Sequence, residues 1–414
     1  MTNITCSCDT PVTRIAIDIA KKYHDAKIKR SDGRIVYLCF ENSLAGYARL
    51  ITATRSSGEK VVVAFEPTAD YHRNIAWWLQ EQGIECRLVS SLACARAREM
   101  LFKTWDKNDR KDASVILYLM EQGLSSPFFD PLLNKMMDIQ EISNTYYQIS
   151  LARTRSLNSL VNHYLTLYFP EAEQFLHQSR TEWFCHFLLR FPTPQTITSI
   201  QKSLFVKEAW DIIGRKQYKQ QFLEQLYEIA HNSIALPLPE NCEAVVTFKL
   251  QIRRYIELTL QQLQLEKMAE NYLQNRADYH HLRSLPGVGP VIAMMILAES
   301  GDLNRFAHYR QYLNFCGFNL SASQSGEKCS SYRLSKRGNA RLRYAFWLAA
   351  TVAVRMQENT LRNKYERYIR EHGDNPDQRR KAVVAVATKL ARIAHSLVKK
   401  DVDYQRYFDI SHGT

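Results

Sequence analysis

Residues 60–67 read KVVVAFEP: one lysine, five consecutive apolar side chains, then an acid and a proline. A short, unbroken apolar run suits a strand buried on both faces, as in a sheet covered by helices on either side. The neighbouring segments agree. TRIAIDIA (13–20) and RIVYLCFE (34–41) have β-branched, alternating character, and IECRLVS (84–90) reads as a further strand. Between them, LAGYARLITATR (44–55) and YHRNIAWWLQEQG (71–83) carry helical periodicity, the second closing on Gly83. The order of three strands, then helix, strand, helix, strand, helix predicts a mixed α/β sheet with helices on its faces over residues 1–125.

The character changes beyond this region. MMDIQEISNTYYQISLARTRSLNSLVNHYLTLYF (136–169) and VVTFKLQIRRYIELTLQQLQLEKMAENYLQ (245–274) repeat apolar residues at three and four spacing. Phe169-Pro170 ends the first, and Pro192, Pro194, Pro237 and Pro239 mark turns between the two. Residues 126–280 are expected to form a helical, coiled-coil arm, paired either within the chain or between chains. Residues 281–414 are expected to be a third, helical region with a polar loop, so the fold class is α/β plus all-α.

Composition bounds the partners. In 414 residues, 45% are hydrophobic and only 14 are glycine and 12 proline, which describes a folded, helix-rich chain. The formal charge is +13, and residues 326–414 hold 19 Lys/Arg against 9 Asp/Glu, a net +10. A polyanion is the expected partner of such a surface. Nine scattered cysteines show no paired CxxC spacing, so a zinc site is not expected and free thiols in a reducing cytoplasm are. Neither a signal-like leader nor a run of 18 apolar residues is present, so the chain is expected to be cytoplasmic and not membrane-bound.

Two acids interrupt the apolar strands: Asp18 in IAIDIA and Glu66 at the end of VVVAFEP. One such acid reads as a strand cap or an ion-pair partner of Arg14 or Lys21. Two on neighbouring strands, followed by KTWDKNDRKDA (103–113), point to converging carboxylates, which repel unless a divalent cation neutralises them. Oxygen-only ligands favour Mg2+, with Mn2+ as the alternative. Two such ions can serve phosphodiester chemistry, the logic of a ribonuclease-H-like sheet. Residues three apart share a helix face, so both Asp106/Asp109 and Asp109/Asp112 remain candidate pairs.

The C-terminal region adds two motifs. LRSLPGVGPVIAMMILAE (282–299) describes a helix-hairpin-helix in which Gly287 and Gly289 permit a tight turn and expose backbone N–H groups to phosphate. A polar stretch follows with Ser321, Ser323, Ser325, Ser330, Ser331 and Ser335, then SKRGNARLR (335–343). Lys336, Arg337, Arg341 and Arg343 are candidates to hold phosphate, which would make a serine a credible nucleophile; spacing does not choose which serine.

IDIAK, FEPT, KNDRKDA, LPGVGPVIA, QSG and SKRGNARLR, in this order, resemble the DEDD transposases of bacterial insertion sequences, of the insertion-sequence-110 type. The resemblance implies a RuvC-like N-terminal domain whose metal ligands are Asp18, Glu66, Asp109 and Asp112, leaving Asp106 outside the tetrad. It implies Ser325 as the nucleophile, with Ser323 and Ser321 as fallbacks. It further implies DNA substrates, a structured guide RNA, a homo-oligomer, and an active site composed from the two end domains. A RuvC-like nuclease that activates water, and a catalytically silent nucleic-acid-binding protein, are the competing expectations. The basic segment beyond Gln357 extends past every matched motif and is expected to meet nucleic-acid backbone.

Overall fold

The computed structural model describes residues 11–54, 60–102, 109–128, 137–175, 181–213, 217–239, 242–321, 324–325, 328–329, 333–357 and 359–405. The described chain divides into two compact units, Met1–Asn134 and Lys135–Thr414.

In the first unit β1 (Val12–Asp18), β2 (Tyr23–Lys29) and β3 (Ile35–Glu41) form an antiparallel meander. Helix α1 (Leu44–Thr54) follows, then β4 (Lys60–Phe65), α2 (Tyr71–Glu81), β5 (Glu85–Val89), α3 (Ser91–Phe102), α4 (Asp109–Glu121) and a short β6 (Ser125–Pro127). The sheet order is β3-β2-β1-β4-β5-β6, with β1, β4 and β5 parallel and β6 antiparallel at the edge. This is the mixed sheet that the apolar runs predict, and the three-residue β6 is the strand they do not announce.

Alternation along the central strands assigns each residue a face. Ile15, Ile17, Val63 and Phe65 pack with Leu50 of α1 and Ile75 and Leu79 of α2. Ala16, Val62, Ala64 and Val89 pack with Ala97 of α3 and Val115, Ile116 and Leu119 of α4. Both layers are apolar and buried, which accounts for the unbroken apolar run in β4.

The second unit is almost wholly helical. Helix α5 (Met137–Ser159) continues through a π-helical stretch, Leu160–Leu165, into α6 (Thr166–Tyr168), and ends where Phe169 leaves helical geometry before Pro170. Helices α7 (Thr181–Arg190), α8 (Pro194–Thr198), α9 (Lys202–Ile213) and α10 (Gln217–His231) close around an aromatic core that includes Phe184, Phe187, Phe191 and Phe205. The long α11 (Glu243–Leu273) returns antiparallel to α5. Their seam is partly polar: Tyr146 meets Glu266 and Gln262, and Arg153 donates to Thr259, Gln262 and Tyr255.

A second core lies at the other end of this helix pair, where Ile139 and Leu273 join α12 (Ala277–Arg283), α13 (Pro290–Ser300), α14 (Tyr309–Cys316), α15 (Ala340–Ala353), α16 (Thr360–His372) and α17 (Pro376–Lys400). Helix α13 sits in the middle of it. Ala293 to Ala298 are all buried, which explains a helix apolar around its whole circumference. Between α14 and α15, where the sequence reads as a plain polar loop, β7 (Leu320–Ser321) pairs with β10 (Arg333–Leu334) and β8 (Gln324–Ser325) with β9 (Lys328–Cys329). Among the described residues no helix is long and apolar enough to cross a membrane.

Candidate active site

The sheet register brings two of the predicted acids together. Strands β1 and β4 are parallel neighbours, with Ile17 opposite Phe65. Asp18 and Glu66 follow these residues directly, so they stand side by side at the same ends of adjacent strands. Alternation gives Asp18 the face of Ala16 and Glu66 the face of Ala64, the layer covered by α3 and α4. Both are half-buried.

Helix α4 supplies the rest of this end. Asp112 lies in its first turn and is only 3% exposed, because Ala113, Val115 and Ile116 press the helix onto the sheet. Asp109 begins the same helix one turn earlier; its side chain and the whole of Asp106 fall outside the described residues. A buried carboxylate needs a partner. Arg98 of α3 provides one: its Nε donates to Asp112 Oδ1 at 2.6 Å. One turn earlier on the same face of α3, the Cys94 thiol lies near Glu66. Burial pushes this thiol up to about 12; the nearby Glu66 carboxylate adds to the rise and the Arg98 charge opposes it.

Glu66, Cys94, Arg98 and Asp112 therefore form one cluster, and it contains two members that the sequence reading lacked. The signal for them was faint. Cys94 and Arg98 are four apart in LACARAREM, on the helix after the fifth strand, where a lone cation reads as solvated. Among the described residues, no three Asp, Glu, His or Cys side chains are close enough to hold an ion together. The arrangement there is a carboxylate pair at two strand ends, facing a helix whose buried acid is neutralised by arginine.

The predicted phosphate-binding residues separate into two kinds. Gly287 adopts φ +82°, and a Cβ there would lie 2.2 Å from the Ala349 carbonyl oxygen of α15. Its requirement is close helix packing. Gly289, which precedes α13, has open space where a Cβ would stand, and its N–H lies at a helix start. In the basic segment, Arg341 bonds Asn144, lies 3.5 Å from Glu299 and covers the Tyr147 ring. Arg343 donates to the carbonyls of Cys316, at the end of α14, and of Lys336, tying the two segments together. Asn339 caps α15 by accepting from Leu342 N–H, and its amide donates to Glu299 at 2.7 Å. Lys336 and Arg337 stand exposed. Two of the four predicted cations are thus engaged in holding the fold. Ser325 lies in β8 with Lys328 as its cross-strand register partner; neither side chain is described.

Comparison with known proteins bears on both units. A DEDD transposase family of the IS110 type matches residues 15–170, and the transposase family IS116/IS110/IS902 matches residues 279–366. The mini-circle transposase assigned to IS117 of Streptomyces coelicolor is 26% identical over 375 residues, 86% of this chain and 87% of that protein. The transposase for insertion sequence element IS1111A of Coxiella burnetii is 31% identical over 131 residues, 31% of this chain and 35% of that protein. Among solved structures, a Thermus thermophilus RuvC in complex with a Holliday junction matches 28% of this chain and 99% of its own, at 11% identity and a TM-score of 0.21. The two family matches and the transposase relatives define a DNA transposase, an enzyme of strand cleavage and transfer. The chain belongs to the IS110-type DEDD transposases.

Proposed function

We propose that this transposase cuts and rejoins DNA through a serine nucleophile, Ser325, supported by a divalent cation on Asp18, Glu66, Asp109 and Asp112 of a RuvC-like sheet. One observation carries the acidic half of this reading: Asp18 and Glu66 share a face at adjacent strand ends, opposite the helix that holds the buried Asp112. The donor set is oxygen only and fits Mg2+, with Mn2+ as alternative. When bound, the ion supplies charge stabilisation to the departing 3′-oxygen.

The chain's own residues do the rest. Ser325 Oγ forms a bond to a backbone phosphorus as the bond to the 3′-oxygen breaks; the hydroxyl proton leaves the serine, and the departing oxygen takes up a proton. The reverse attack by a 3′-hydroxyl of another strand releases Ser325 and rejoins the DNA. Lys336, Arg337 and the Gly289 N–H are the phosphate-holding groups of the C-terminal unit, with Lys328 as cross-strand partner of the nucleophile. Arg98 holds the Asp112 carboxylate in place through its Nε–H. A structured guide RNA and a homo-oligomer belong to the same proposal and rest on the family. So does the division of the chain into a 1–125 catalytic domain, a 126–280 helical arm and a 281–414 serine domain.

The test is to trap the covalent protein–DNA adduct with Mg2+ and map it by peptide mass. The expected adduct lies on Ser325 and vanishes in Ser325→Ala and on chelation. Cleavage that persists in Ser325→Ala would convert the enzyme into a nuclease that uses water. Asp109→Asn and Asp112→Asn should abolish recombination, and Asp106→Asn should retain it; recombination surviving either of the first two changes removes that residue from the tetrad.

A further inference from the structure

The segment beyond residue 366 lies outside both family matches. It builds one wall of a cleft of about 730 Å³ among α14, α16 and α17. Six cations line it: Lys364, Arg367, Arg370, Lys389, Arg392 and Lys400. They recur at three and eight spacing along the two helices, so each helix turns a basic face to the same space. Among the described lining residues none is acidic.

The acids of these helices are engaged mainly elsewhere. Asp374 pairs with Arg379, Asp377 with Arg380 and Lys381, and Glu366 with Arg362, all cations outside the cleft, while Glu371 lies 4.0 Å from a lining cation, Arg367. Hydrogen-bonding groups fill the intervals between the lining cations: Thr360, Asn363, Thr388 and Ser396. Arg392 is held with its guanidinium 4.8 Å from the Tyr309 ring centre, which fixes its orientation. A site for a small organic ligand is lined mostly by apolar side chains around a few polar groups. This one reverses the proportion. Six positive charges spread over two helices exceed what one free phosphate or nucleotide engages and suit a row of phosphates.

We infer that the α14–α16–α17 cleft is a docking groove for the sugar-phosphate backbone of duplex DNA, separate in sequence from the Ser325 segment. The inference rests on the reading of the chain as an enzyme acting on DNA. Binding here is sequence-independent and positions the duplex, because phosphate contacts carry no base information. It releases counterions, so affinity falls steeply with salt.

The experiment measures binding of the full chain to a fluorescein-labelled DNA duplex by anisotropy across a salt series. The variant Arg370→Gln/Lys389→Gln/Arg392→Gln is compared with Arg253→Gln/Arg254→Gln/Lys267→Gln, which removes the same charge from exposed positions on α11. The cleft variant is expected to lose about 10-fold or more in affinity and about 3 from the log–log salt slope, roughly 1 per phosphate-contacting cation. The α11 variant is expected to stay within about 2-fold. Equal losses in the two variants, or no loss in the cleft variant, overturn the inference. So does a cleft variant that binds duplex DNA normally and loses only structured RNA. Circular-dichroism melting and the milder Arg392→Lys guard against misfolding: Arg392→Lys should keep its affinity if phosphate contact is the role. A parent chain that binds DNA but yields no serine adduct defeats the nucleophile proposal and leaves the cleft standing. An adduct-forming chain indifferent to the cleft changes does the opposite.

Discussion

The acidic strand ends and the basic Ser-Lys-Arg segment looked equally functional as motifs, and the fold treats them differently. At the strand ends, a parallel register and a two-residue period force Asp18 and Glu66 onto one face. In residues 335–343 the charges sit at a helix-to-helix junction, where the last carbonyls of a helix lack intrahelical partners and the backbone packs tightly at Gly317 and Gly338. Arg343 fills that need for α14, and Arg341 ties α15 to Glu299 and Asn144. A dense run of charge is therefore no guide to role by itself: in the basic segment the fold already has a use for two of the four cations.

That contrast can be broken most forcefully at Arg98. Replacing it by Gln leaves the buried Asp112 without its partner, which should cost about 3 kcal/mol of stability; urea unfolding reads it directly. If the acids also bind a cation, Mg2+ or Mn2+ should raise the variant's melting temperature more than the parent's. A loss below about 1 kcal/mol would place this pair with weak surface bridges. Next in size is Gly287→Ala, where positive φ and the Ala349 carbonyl oppose a side chain; about 2–3 kcal/mol is expected. Gly289→Ala, with open space, should change stability by less than about 0.5 kcal/mol, so any fall in DNA affinity there reports a lost phosphate contact.

Smaller effects sharpen the division within the basic segment. Arg341→Gln should lose about 1 kcal/mol in thermal unfolding, whereas Lys336→Gln with Arg337→Gln should leave the melting curve unchanged and weaken DNA binding. The reverse pattern would exchange their roles. The mildest effect is expected at His281, whose ring nitrogens meet Asp401 and Asp403. Burial pulls its pKa down, but the hydrogen bonds to Asp403 and Asp401 outweigh this and raise it above the ordinary 6.5. This stabilisation is complete below 6.5 and is lost as pH rises through the raised value. Amide exchange over residues 397–404 should therefore quicken with pH beyond the intrinsic rate in the parent and lose that extra dependence in His281→Asn.

Much of the fold was legible because periodicity is a local property. The unbroken VVVAF announced a two-sided sheet, and the three-and-four spacing of residues 245–274 announced α11. The position of the acids was legible for the same reason. Partners were not. Arg341 meets a residue 197 positions away, and nothing near Gly287 in sequence foretells the α15 backbone against it. Arg98 escaped because an i to i+4 pair on an ordinary helix carries no mark of what faces it. The two short ladders of residues 320–334 were hidden by length, since two-residue strands leave no period to read.

Helices α5 and α11 have a mechanical consequence. At 31 residues, α11 is about 46 Å long, and it is embedded in one hydrophobic core near its start and in another near its end. Sliding past α5 by one helical turn would break the bonds of Tyr146 and Arg153 together, since directional bonds do not re-form at intermediate offsets. The pair therefore resists compression and slip as a strut does. Force applied to the aromatic lobe would reach the α13 core as displacement with little lost in between.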